Sequence, residues 1–326
     1  MFVLGIDGGG TKTTAVVADE NGTVYMEAET GRSNPNTLSK TDFEDVINGL
    51  LNQLRKQNKE VYLQIKVCFA GMAGVGESNR HKEVAELIGR SFPNETKIFV
   101  ENDAFNALFS GTLGSPGIVQ ISGTGAITVG MNSVGEIERV GGWGYLFDDF
   151  GSGFDLGNKA LQAVFKEYDG RGKATMLTGV ISSYFNVKRV PDIIDKIYGD
   201  IHPRTIIAPL SRLVVDAAIH DDAIAKEIIE GACKDMYSSI SACHQKLFSV
   251  DDSIPVILSG GVFSNINLFR ERLKTLAQPE LPNIVFSSTR TAPVGGAIAA
   301  GLSKVKKQLS PQFIDTFNKQ YKKGAK

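Results

Sequence analysis

Two glycine-rich turns, each enclosed by a pair of apolar strands, constrain the fold of this chain more than any other feature. The first lies in "FVLGIDGGGTKTTAVVAD" over residues 2–19, and the second in "GIVQISGTGAITVGM" over residues 117–131. Each pair is followed by a third predicted strand, 23–30 in the first case and 135–142 in the second, and then by helical segments. The chain therefore contains two similar halves, for which an internal duplication is the simplest origin.

The first half continues with elements that alternate. Apolar residues at helical spacing predict a helix over 41–57, with Thr41 and Glu44 as its capping box. The next predicted elements are a strand over 65–74, a helix over 78–92 and a strand over 96–103. Three antiparallel strands followed by alternating helices and strands predict a mixed α/β sheet.

Length and composition agree with an ordinary globular protein. The 326 residues suggest two domains, with 42% hydrophobic and 22% charged residues. The net charge of −1 gives no reason to expect a nucleic-acid or anionic-membrane partner. No apolar run approaches the roughly 20 residues that cross a bilayer. The basic end "KQYKKGAK" is interpreted as a solvated tail.

Cysteine usage indicates a reducing compartment. Cys68, Cys233 and Cys243 are odd in number and form no C-x-x-C pair, as expected of free thiols. The N-terminal residues predict a strand instead of a basic segment followed by an apolar one. A cytoplasmic location is therefore expected.

The stretch "DGGGTKT" has two readings from its residues alone. Asp-Gly and Gly-Gly pairs are ordinary hairpin turns, which explains two of the glycines. Three glycines flanked by Thr11 and Lys12 are also typical of a loop whose backbone approaches an anion. The stretch is not a Walker loop, because G-x-x-x-x-G-K-[ST] is absent and no helix follows. Phosphate binding and a plain turn both remain open at this point.

Five motifs together carry a resemblance to a known family. "GIDGGGTKT", "VENDA", "ISGTGA", "GGWGYLFDDFGSG" and "ILSGGVFSN" have the order and spacing of the BadF/N-acetylglucosamine kinase family, within the superfamily of sugar kinases, Hsp70 and actin. The resemblance covers residues 3 to about 303. It implies an α/β protein with two ribonuclease-H-like (actin-like ATPase) domains around a cleft that binds ATP, Mg²⁺ and a sugar. The two glycine turns are then expected to face each other across that cleft.

The resemblance also implies roles for individual residues at the nucleotide. Asp7 takes the position of the superfamily's Mg²⁺ carboxylate, often acting through water. The residues implied for the phosphates are Gly9, Gly10, Thr11 and Lys12 in the first turn, and Gly123, Thr124 and Gly125 in the second. The residues implied for the adenosine are Gly260, Gly261 and Asn265, with Ala217 or Ala218 packing on the base.

A second set of residues is implied for the sugar. Asp103 in "VENDA" corresponds to the catalytic base, which takes the proton of the attacking hydroxyl; from its position alone it is equally well a helix cap. Asn34, with Asn36 as the alternate, lies in the sugar loop "GRSNPN", although Asn-Pro is also an ordinary turn. The remaining implied sugar-binding residues are Ala126, Gly142, Trp143, Gly144 and Asp149.

The chain departs from the animal kinases of this family in its sugar loops. Tyr145 and Phe150 stand where His and Glu are usual, which leaves the choice of sugar in doubt. Thr37 replaces an aromatic residue, and Arg32 nearby could bind a carboxylate if it points inward. N-acetylglucosamine, N-acetylmuramate and glucosamine all remain open as substrates. The phosphorylated position, C6 or the anomeric oxygen, is also open.

Other functions within the superfamily fit less well. An activator ATPase holds a [4Fe–4S] cluster through cysteines just after the second phosphate loop, whereas residues 123–170 contain no Cys. A sugar-sensing regulator needs a helix-turn-helix module, and the chain begins with the first strand. An actin-like or chaperone-like role is disfavoured by "GGWG". The expected partners are a small-molecule sugar and a second copy of the chain in a homodimer.

Domain boundaries are expected at 1–114 and 115–308. The remaining segment, 309–326, predicts a helix that begins at Ser310-Pro311, with Ser310 as N-cap and Pro311 as the first helical residue. Apolar residues recur along it at helical spacing. In this superfamily the last helix commonly packs on the first domain, and the same is expected here.

Overall fold

The computed structural model describes residues 1–76, 80–199 and 201–321. Residues 78–79, at the start of the predicted helix over 78–92, and residues 322–326 of the basic tail lie outside the described residues. The strands are β1 (Phe2–Gly8), β2 (Lys12–Ala18), β3 (Val24–Gly31), β4 (Ile65–Met72), β5 (Lys97–Glu101), β6 (Gly117–Ser122), β7 (Ala126–Met131), β8 (Ile137–Val140), β9 (Pro255–Ser259) and β10 (Val285–Ser288).

Helices connect and cover these strands. They are α1 (Lys40–Gln57), α2 (Lys59–Leu63), α3 (His81–Gly89), α4 (Ala104–Thr112), α5 (Gly153–Tyr168), α6 (Met176–Tyr184), α7 (Ile193–Ile197), α8 (Pro203–Ile207), α9 (Ser211–Ile219), α10 (Ala223–Leu247), α11 (Ile266–Ala277), α12 (Pro293–Lys304) and α13 (Phe313–Gln320). Short 3₁₀ turns occupy Val190–Asp192, Ala208–Leu210 and Gly261–Asn265.

The two sheets of the described chain have the same topology. The first has the order β3-β2-β1-β4-β5, and the second has the order β10-β9-β6-β7-β8. In each sheet, the first strand in sequence lies in the middle. The second and third strands follow on one side of it in antiparallel pairs, and the fourth and fifth follow on the other side in parallel pairs. The second sheet therefore repeats the strand order and the strand directions of the first. The predicted mixed α/β fold is confirmed, and the repeated pattern is what a duplication produces.

The chain divides into two compact units. Unit 1 comprises Met1–Ser115 and the chain from Thr289 onward, and unit 2 comprises Pro116–Ser288. The expected second domain ended at residue 308, so the structure differs from that boundary over residues 289–308. The physical reason is α12, which packs on the first sheet. Its Val294 and Ile298 join Val3 in one buried cluster.

Glycines allow this close approach of α12 to unit 1. A Cβ added at Gly5 of β1 would lie 2.8 Å from the carbonyl oxygen of Val294. A Cβ at Gly296 would lie 2.1 Å from the carbonyl oxygen of Asn106 in α4. Real Cβ atoms do not approach carbonyl oxygens this closely, so larger residues would push the helix away from the sheet.

The last helix, α13, also packs in unit 1. Phe313, Phe317 and Tyr321 are at most 5% exposed and join Val16 and Ala18 of β2 in the same cluster as α12. The helix begins at Phe313 after Gln312, and not at Ser310-Pro311 as the sequence predicted. Instead, the carbonyl of Ser310 accepts from the Phe313 N–H in the turn before the helix, and the Ser310 N–H donates to the Glu20 carbonyl.

The start of α1 also differs from its prediction. Ser39 is the N-cap, and its Oγ accepts from the Asp42 N–H over 3.1 Å. The expected capping box placed that role on Thr41, two residues later. Both residues carry a hydroxyl that can cap a helix, and the apolar pattern does not decide between positions within one turn.

The long helix of unit 2 is α10, with 25 residues from Ala223 to Leu247. Asp222 caps it by accepting from the Ala225 N–H over 2.8 Å, and Leu247 is its last residue. It buries Ala232, Met236 and other residues of one face in the core of unit 2. Within the described ranges, no helix combines the length and the apolar character needed to cross a membrane.

Candidate active site

Asp7 lies near the end of β1, where the chain enters the first glycine turn. Its Oδ1 accepts a hydrogen bond from Nδ2 of Asn106 over 2.8 Å. Burial raises the pKa of Asp7 above its ordinary value, and the Asn106 hydrogen bond and the charge of Lys12 oppose that rise. A carboxylate at this position is an oxygen donor of the kind that Mg²⁺ prefers.

The described residues contain no group of three or more His, Cys, Asp or Glu side chains that could hold a metal ion. Mg²⁺ needs no such group here, because it keeps much of its water shell and binds through one or two carboxylates plus substrate phosphates. Asp7 alone therefore fits a Mg²⁺ ion that arrives with ATP.

The first glycine turn leaves space for a ligand. A Cβ at Gly10 would meet no described atom within 4 Å, so packing of the chain does not explain why glycine stands there. Gly10 and Thr11 are exposed, and the Gly9 N–H donates to the Lys12 carbonyl over 2.9 Å. Lys12 itself forms an ion pair with Glu29 at 3.2 Å. The phosphate roles of these residues stay predictions.

Asp103 precedes α4 but its side chain does not make a capping hydrogen bond. The neighbouring residue Asn102 accepts from the Ala104 N–H through Oδ1 over 3.0 Å instead. Because Asn102 supplies this hydrogen bond at the helix start, capping does not explain the carboxylate at 103. The assignment of Asp103 as the base remains a prediction that this geometry supports.

Strand register brings Asp7 and Asp103 to one edge of the first sheet. Asp7 pairs with Gly71 of β4, and Gly71 pairs with Glu101 of β5. Asp103 follows Glu101 by two residues. The three strands are parallel, so both carboxylates lie where the strands end, which is the edge at which α/β sheets bind ligands.

The sugar loop of unit 1 is held against the turn after β4. Asn34 accepts from the Asn36 N–H through Oδ1 over 2.8 Å, and Nδ2 of Asn36 donates to the Gly74 carbonyl over 3.0 Å. Gly74 has a φ of +82°, and a Cβ there would lie 2.3 Å from Oδ1 of Asn34. Ser33 links the loop to the first glycine turn, because its N–H donates to the Gly9 carbonyl over 3.2 Å.

The second glycine turn connects β6 and β7 in unit 2. The Gly123 N–H donates to the Gly125 carbonyl over 2.9 Å, and the Gly123 carbonyl accepts from the Gly153 N–H over 2.7 Å. Thr124 is exposed at the tip. A Cβ at Gly123 would again meet no described atom within 4 Å. This turn is thus fixed at its base by α5 and open at its tip.

Three glycines with positive φ shape the loop after β8, residues 141–152, which is the second loop predicted to bind the sugar. Gly141, Gly142 and Gly144 have φ values of +72°, +75° and +122°, which L side chains rarely adopt. The Trp143 side chain between them is 63% exposed, so packing in the core does not explain it. The Arg139 guanidinium stacks over the indole ring, 4.4 Å from its centroid.

Three of the predicted sugar-binding residues line one cavity of about 130 Å³ in unit 2. They are Ala126, Gly142 and Asp149. The side chain of Asp149 is 5% exposed, its φ is +60°, and its Oδ2 lies 3.0 Å from Nη2 of Arg204. Burial raises the pKa of Asp149, while Arg204 and the Ala126 N–H lower it.

The predicted adenosine residues lie after β9. Gly260 has a φ of +109°, and a Cβ there would be 2.4 Å from the Ser122 carbonyl, so glycine is required for contact with the second phosphate turn. A Cβ added at Gly261 would meet no described atom within 4 Å. Asn265 accepts from the Leu268 N–H as N-cap of α11, a structural role that the sequence did not reveal. Ala217 on α9 is only 4% exposed.

The three cysteines are free thiols in buried positions, and Cys233 and Cys243 are both fully inaccessible. Burial raises the pKa of Cys243 to about 12. Thiols of this kind are poor metal ligands, because a ligand thiol must be deprotonated. They offer no exposed cysteine for a cluster shared between subunits.

Two residues of these sites were missed by sequence reasoning. Asn106 binds Asp7 from 99 positions away, and Arg204 binds Asp149 from 55 positions away. Neither lies in a recognised motif. Asn106 stands three residues after Asp103, on the same helical face, and this spacing is a weak local indication that it belongs to the site. The sequence around Arg204 gives no such indication.

Comparisons with known proteins agree with this geometry. The sequence model of the BadF/BadG/BcrA/BcrD ATPase family matches residues 4–302. An N-acetylmuramic acid/N-acetylglucosamine kinase of Clostridium acetobutylicum is 33% identical over 93% of this chain and 99% of its own length. An N-acetyl-D-glucosamine kinase of Dictyostelium discoideum is 32% identical over 93% and 98%. The crystal structure of a candidate N-acetylglucosamine kinase from Chromobacterium violaceum has a TM-score of 0.68 at 24% identity, over 92% of this chain and 98% of that one.

Proposed function

This chain belongs to the BadF/BadG/BcrA/BcrD ATPase family, and from that premise we propose that it transfers the γ-phosphate of ATP to a hydroxyl of an N-acetylated amino sugar. The observation that carries the proposal is the position of two carboxylates, Asp7 and Asp103, at one edge of the first sheet. Two curated relatives that match over 93% of this chain are named as amino-sugar kinases.

The chemistry requires a base and a means of neutralising charge. Asp103 accepts the proton of the sugar hydroxyl as that hydroxyl attacks the γ-phosphorus. Asp7 would hold Mg²⁺, which would supply positive charge to offset the charge that develops on the phosphates. The exposed tip of the first glycine turn supplies backbone N–H groups to the phosphates.

Each unit, taken by itself, carries a loop whose polar groups suit a sugar. Asn34 and Asn36 present an amide pair that suits hydroxyl and acetamido groups, because each amide both donates and accepts. Asp149 accepts from a sugar hydroxyl in the cavity that Ala126 and Gly142 line. The aromatic face of Trp143 packs on the apolar side of the ring.

An activator ATPase of a dehydratase or reductase is the alternative function that the resemblance to this family offers. That function needs exposed cysteines near the second phosphate turn, whereas the three thiols here are all buried. The kinase is therefore the function that we propose. A homodimeric assembly stays a prediction.

The proposal is tested by a coupled assay of ADP release with purified protein, ATP and Mg²⁺. We expect turnover with N-acetylglucosamine or N-acetylmuramate, and slower turnover with glucosamine, which lacks the acetamido group. Product NMR then distinguishes phosphorylation at C6 from phosphorylation at the anomeric oxygen. Absence of sugar-dependent ADP release with all three sugars would refute the proposal.

Arg32 is the residue that we propose for an acidic sugar. It lies exposed at the start of the sugar loop, beside the small residue Ser33. If it binds the lactyl carboxylate of N-acetylmuramate, Arg32→Ala lowers kcat/KM for that sugar roughly 10–100-fold, the loss of one charged hydrogen bond. The value for N-acetylglucosamine stays unchanged. Arg55→Ala, at an exposed site on α1, is the control, and an equal effect of Arg32→Ala on both sugars would refute this role.

A further inference from the structure

Arg204 forms an ion pair with Asp149, although it belongs to no recognised motif. Its Nη2 lies 3.0 Å from Oδ2 of Asp149, and the side chain of Arg204 is 34% exposed while that of Asp149 is 5% exposed. Nε of Arg204 is buried and has no hydrogen-bond partner among the described residues. The ion pair with Asp149 is therefore the polar contact that the structure shows for this guanidinium.

The ion pair rests directly on the second glycine turn. A Cβ at Gly125 would lie 2.4 Å from Nη2 of Arg204 and 2.7 Å from Oδ2 of Asp149. A side chain at 125 would therefore displace the ends of both charged side chains, in contrast to Gly123, where the space is open. One guanidinium contacts both the phosphate turn and the carboxylate of the sugar loop.

Neighbouring rings fix the direction of Arg204. Its guanidinium lies over the Tyr145 ring, 5.4 Å from the centroid. The Tyr145 hydroxyl lies 3.3 Å from Nε2 of His202, and Nδ1 of His202 accepts from the Arg204 N–H over 3.2 Å. Tyr145 is also the position at which the sugar loop departs from the animal kinases.

Asp149 needs a cation because of where it is held. It is nearly inaccessible, its backbone is left-handed, and Asp148 and Asp235 line the same cavity. A buried carboxylate without a counter-charge becomes neutral by binding a proton. The charge of Arg139 also favours the ionised form of this group, and Arg204 forms an ion pair with it.

We propose that Arg204 is a positioning residue, which keeps Asp149 ionised and aimed at the sugar while it seats the Gly123–Gly125 turn against the same carboxylate. This inference rests on the proposed function in one respect, namely that Asp149 binds sugar. Arg204 touches neither the phosphoryl group nor the attacking hydroxyl, so its loss affects sugar affinity more than turnover.

The first test uses no ligand. Arg204→Met removes the charge and Arg204→Lys keeps it. The thermal midpoint of each variant is compared with that of the wild type from pH 4 to pH 8. Without Arg204, ionised Asp149 is a buried unpaired charge, which costs stability above the pKa of that carboxyl and not below it. The midpoint of Arg204→Met should therefore fall further behind the wild type as pH rises, and Arg204→Lys should restore most of it.

The matched control is Arg189→Met, which removes an exposed ion pair with Asp192 in the same unit. The thermal midpoint of Arg189→Met should differ little from that of the wild type at every pH. If the thermal midpoint of Arg204→Met lies equally far below that of the wild type at pH 4 and at pH 8, the inference is overturned. Failure of the variant to fold at both pH values would overturn it too.

The second test measures sugar binding. Trp143 is the one tryptophan of the chain and lies in the sugar loop, so its fluorescence reports N-acetylglucosamine binding without turnover. We expect Arg204→Met to weaken binding roughly 10–100-fold at pH 7, with a larger loss at lower pH, where more of the Asp149 carboxyl is protonated in the variant. A double variant with Asp149→Asn should bind no worse than Asp149→Asn alone.

The two failures are distinguishable. If the wild type releases no ADP with any amino sugar, the kinase proposal fails, and the ligand-free stability test still decides whether Arg204 keeps Asp149 ionised. If the wild type is active but Arg204→Met binds sugar with wild-type affinity and an unchanged pH profile, the kinase stands and the positioning role fails.

Discussion

Asn106 donates one hydrogen bond to Oδ1 of Asp7 over 2.8 Å, and the same Nδ2 group donates to the carbonyls of Ile6 and Gly71 at 3.1 Å each. A single buried amide therefore connects α4 with the ends of β1 and β4. Asp103 opens the same helix, three residues earlier. The residue that binds Asp7, the carboxylate proposed for Mg²⁺, thus also belongs to the helix that Asp103, the proposed base, precedes.

The first prediction concerns this amide. Asn106→Ala leaves buried acceptors without their donor, at a cost of about 1–3 kcal/mol in the free energy of unfolding. It should also raise the Mg²⁺ concentration needed for half-maximal activity, because Asp7 loses the group that orients it. Urea unfolding and a Mg²⁺ titration measure the two effects.

Asn52→Ala is the matched control for Asn106→Ala. Asn52 is an exposed position inside α1 of the same unit, so the two substitutions share the change in helix propensity. Equal unfolding free energies for the two variants would show that the Asn106 hydrogen bonds carry no net stability.

The second prediction concerns the turn beneath the sugar loop. Gly74→Ala places a Cβ on a left-handed backbone, 2.3 Å from Oδ1 of Asn34, so the loop must move. Strain should cost about 1–3 kcal/mol of stability, and the KM for the sugar should rise while the KM for ATP does not.

Gly31→Ala is the control for Gly74→Ala, because a Cβ at Gly31 meets no described atom within 4 Å. Steady-state kinetics with both substrates separates the two variants. If Gly74→Ala raises the KM for ATP as much as that for the sugar, the loop does not act on the sugar specifically.

The third prediction concerns α13. Phe317 is fully buried against unit 1, so Phe317→Ala should cost roughly 3–5 kcal/mol. Hydrogen exchange should rise in β1 and β2, whose Val16 and Ala18 share its cluster. Phe269→Ala, at an equally buried site in unit 2, should raise exchange in that unit instead. Faster exchange in unit 2 alone after Phe317→Ala would refute the assignment of α13 to unit 1.

The sequence predicts the parts of the fold that depend on local pattern. Two strand–glycine–strand segments are read from alternation and from glycine, and their duplication follows from self-similarity. Helix starts are less certain, because Ser39 and Thr41 both satisfy the chemistry of a cap and only the packed structure selects Ser39. Before α13 the sequence favours Ser310 as the cap, whereas the helix follows Gln312, which makes no side-chain capping hydrogen bond.

Features that depend on tertiary packing could not be predicted. The apolar residues of α12 suit either unit, and the close fit of Gly296 to Asn106 that places it in unit 1 is a contact distant in sequence. Likewise, Arg204 is an ordinary arginine in the sequence, and its role arises only because folding brings it to Asp149. Motifs identify the residues that touch ligands, whereas the residues that orient them lie elsewhere.

The most direct measurement of the central claim is the turnover of Asp103→Asn. The amide keeps hydrogen bonding but cannot take a proton, so kcat should fall roughly 10²–10⁴-fold while sugar binding, measured by Trp143 fluorescence, stays within a few-fold of the wild type. Asp45→Asn, at an exposed site on α1, should be fully active. A kcat of Asp103→Asn close to that of the wild type would contradict the account.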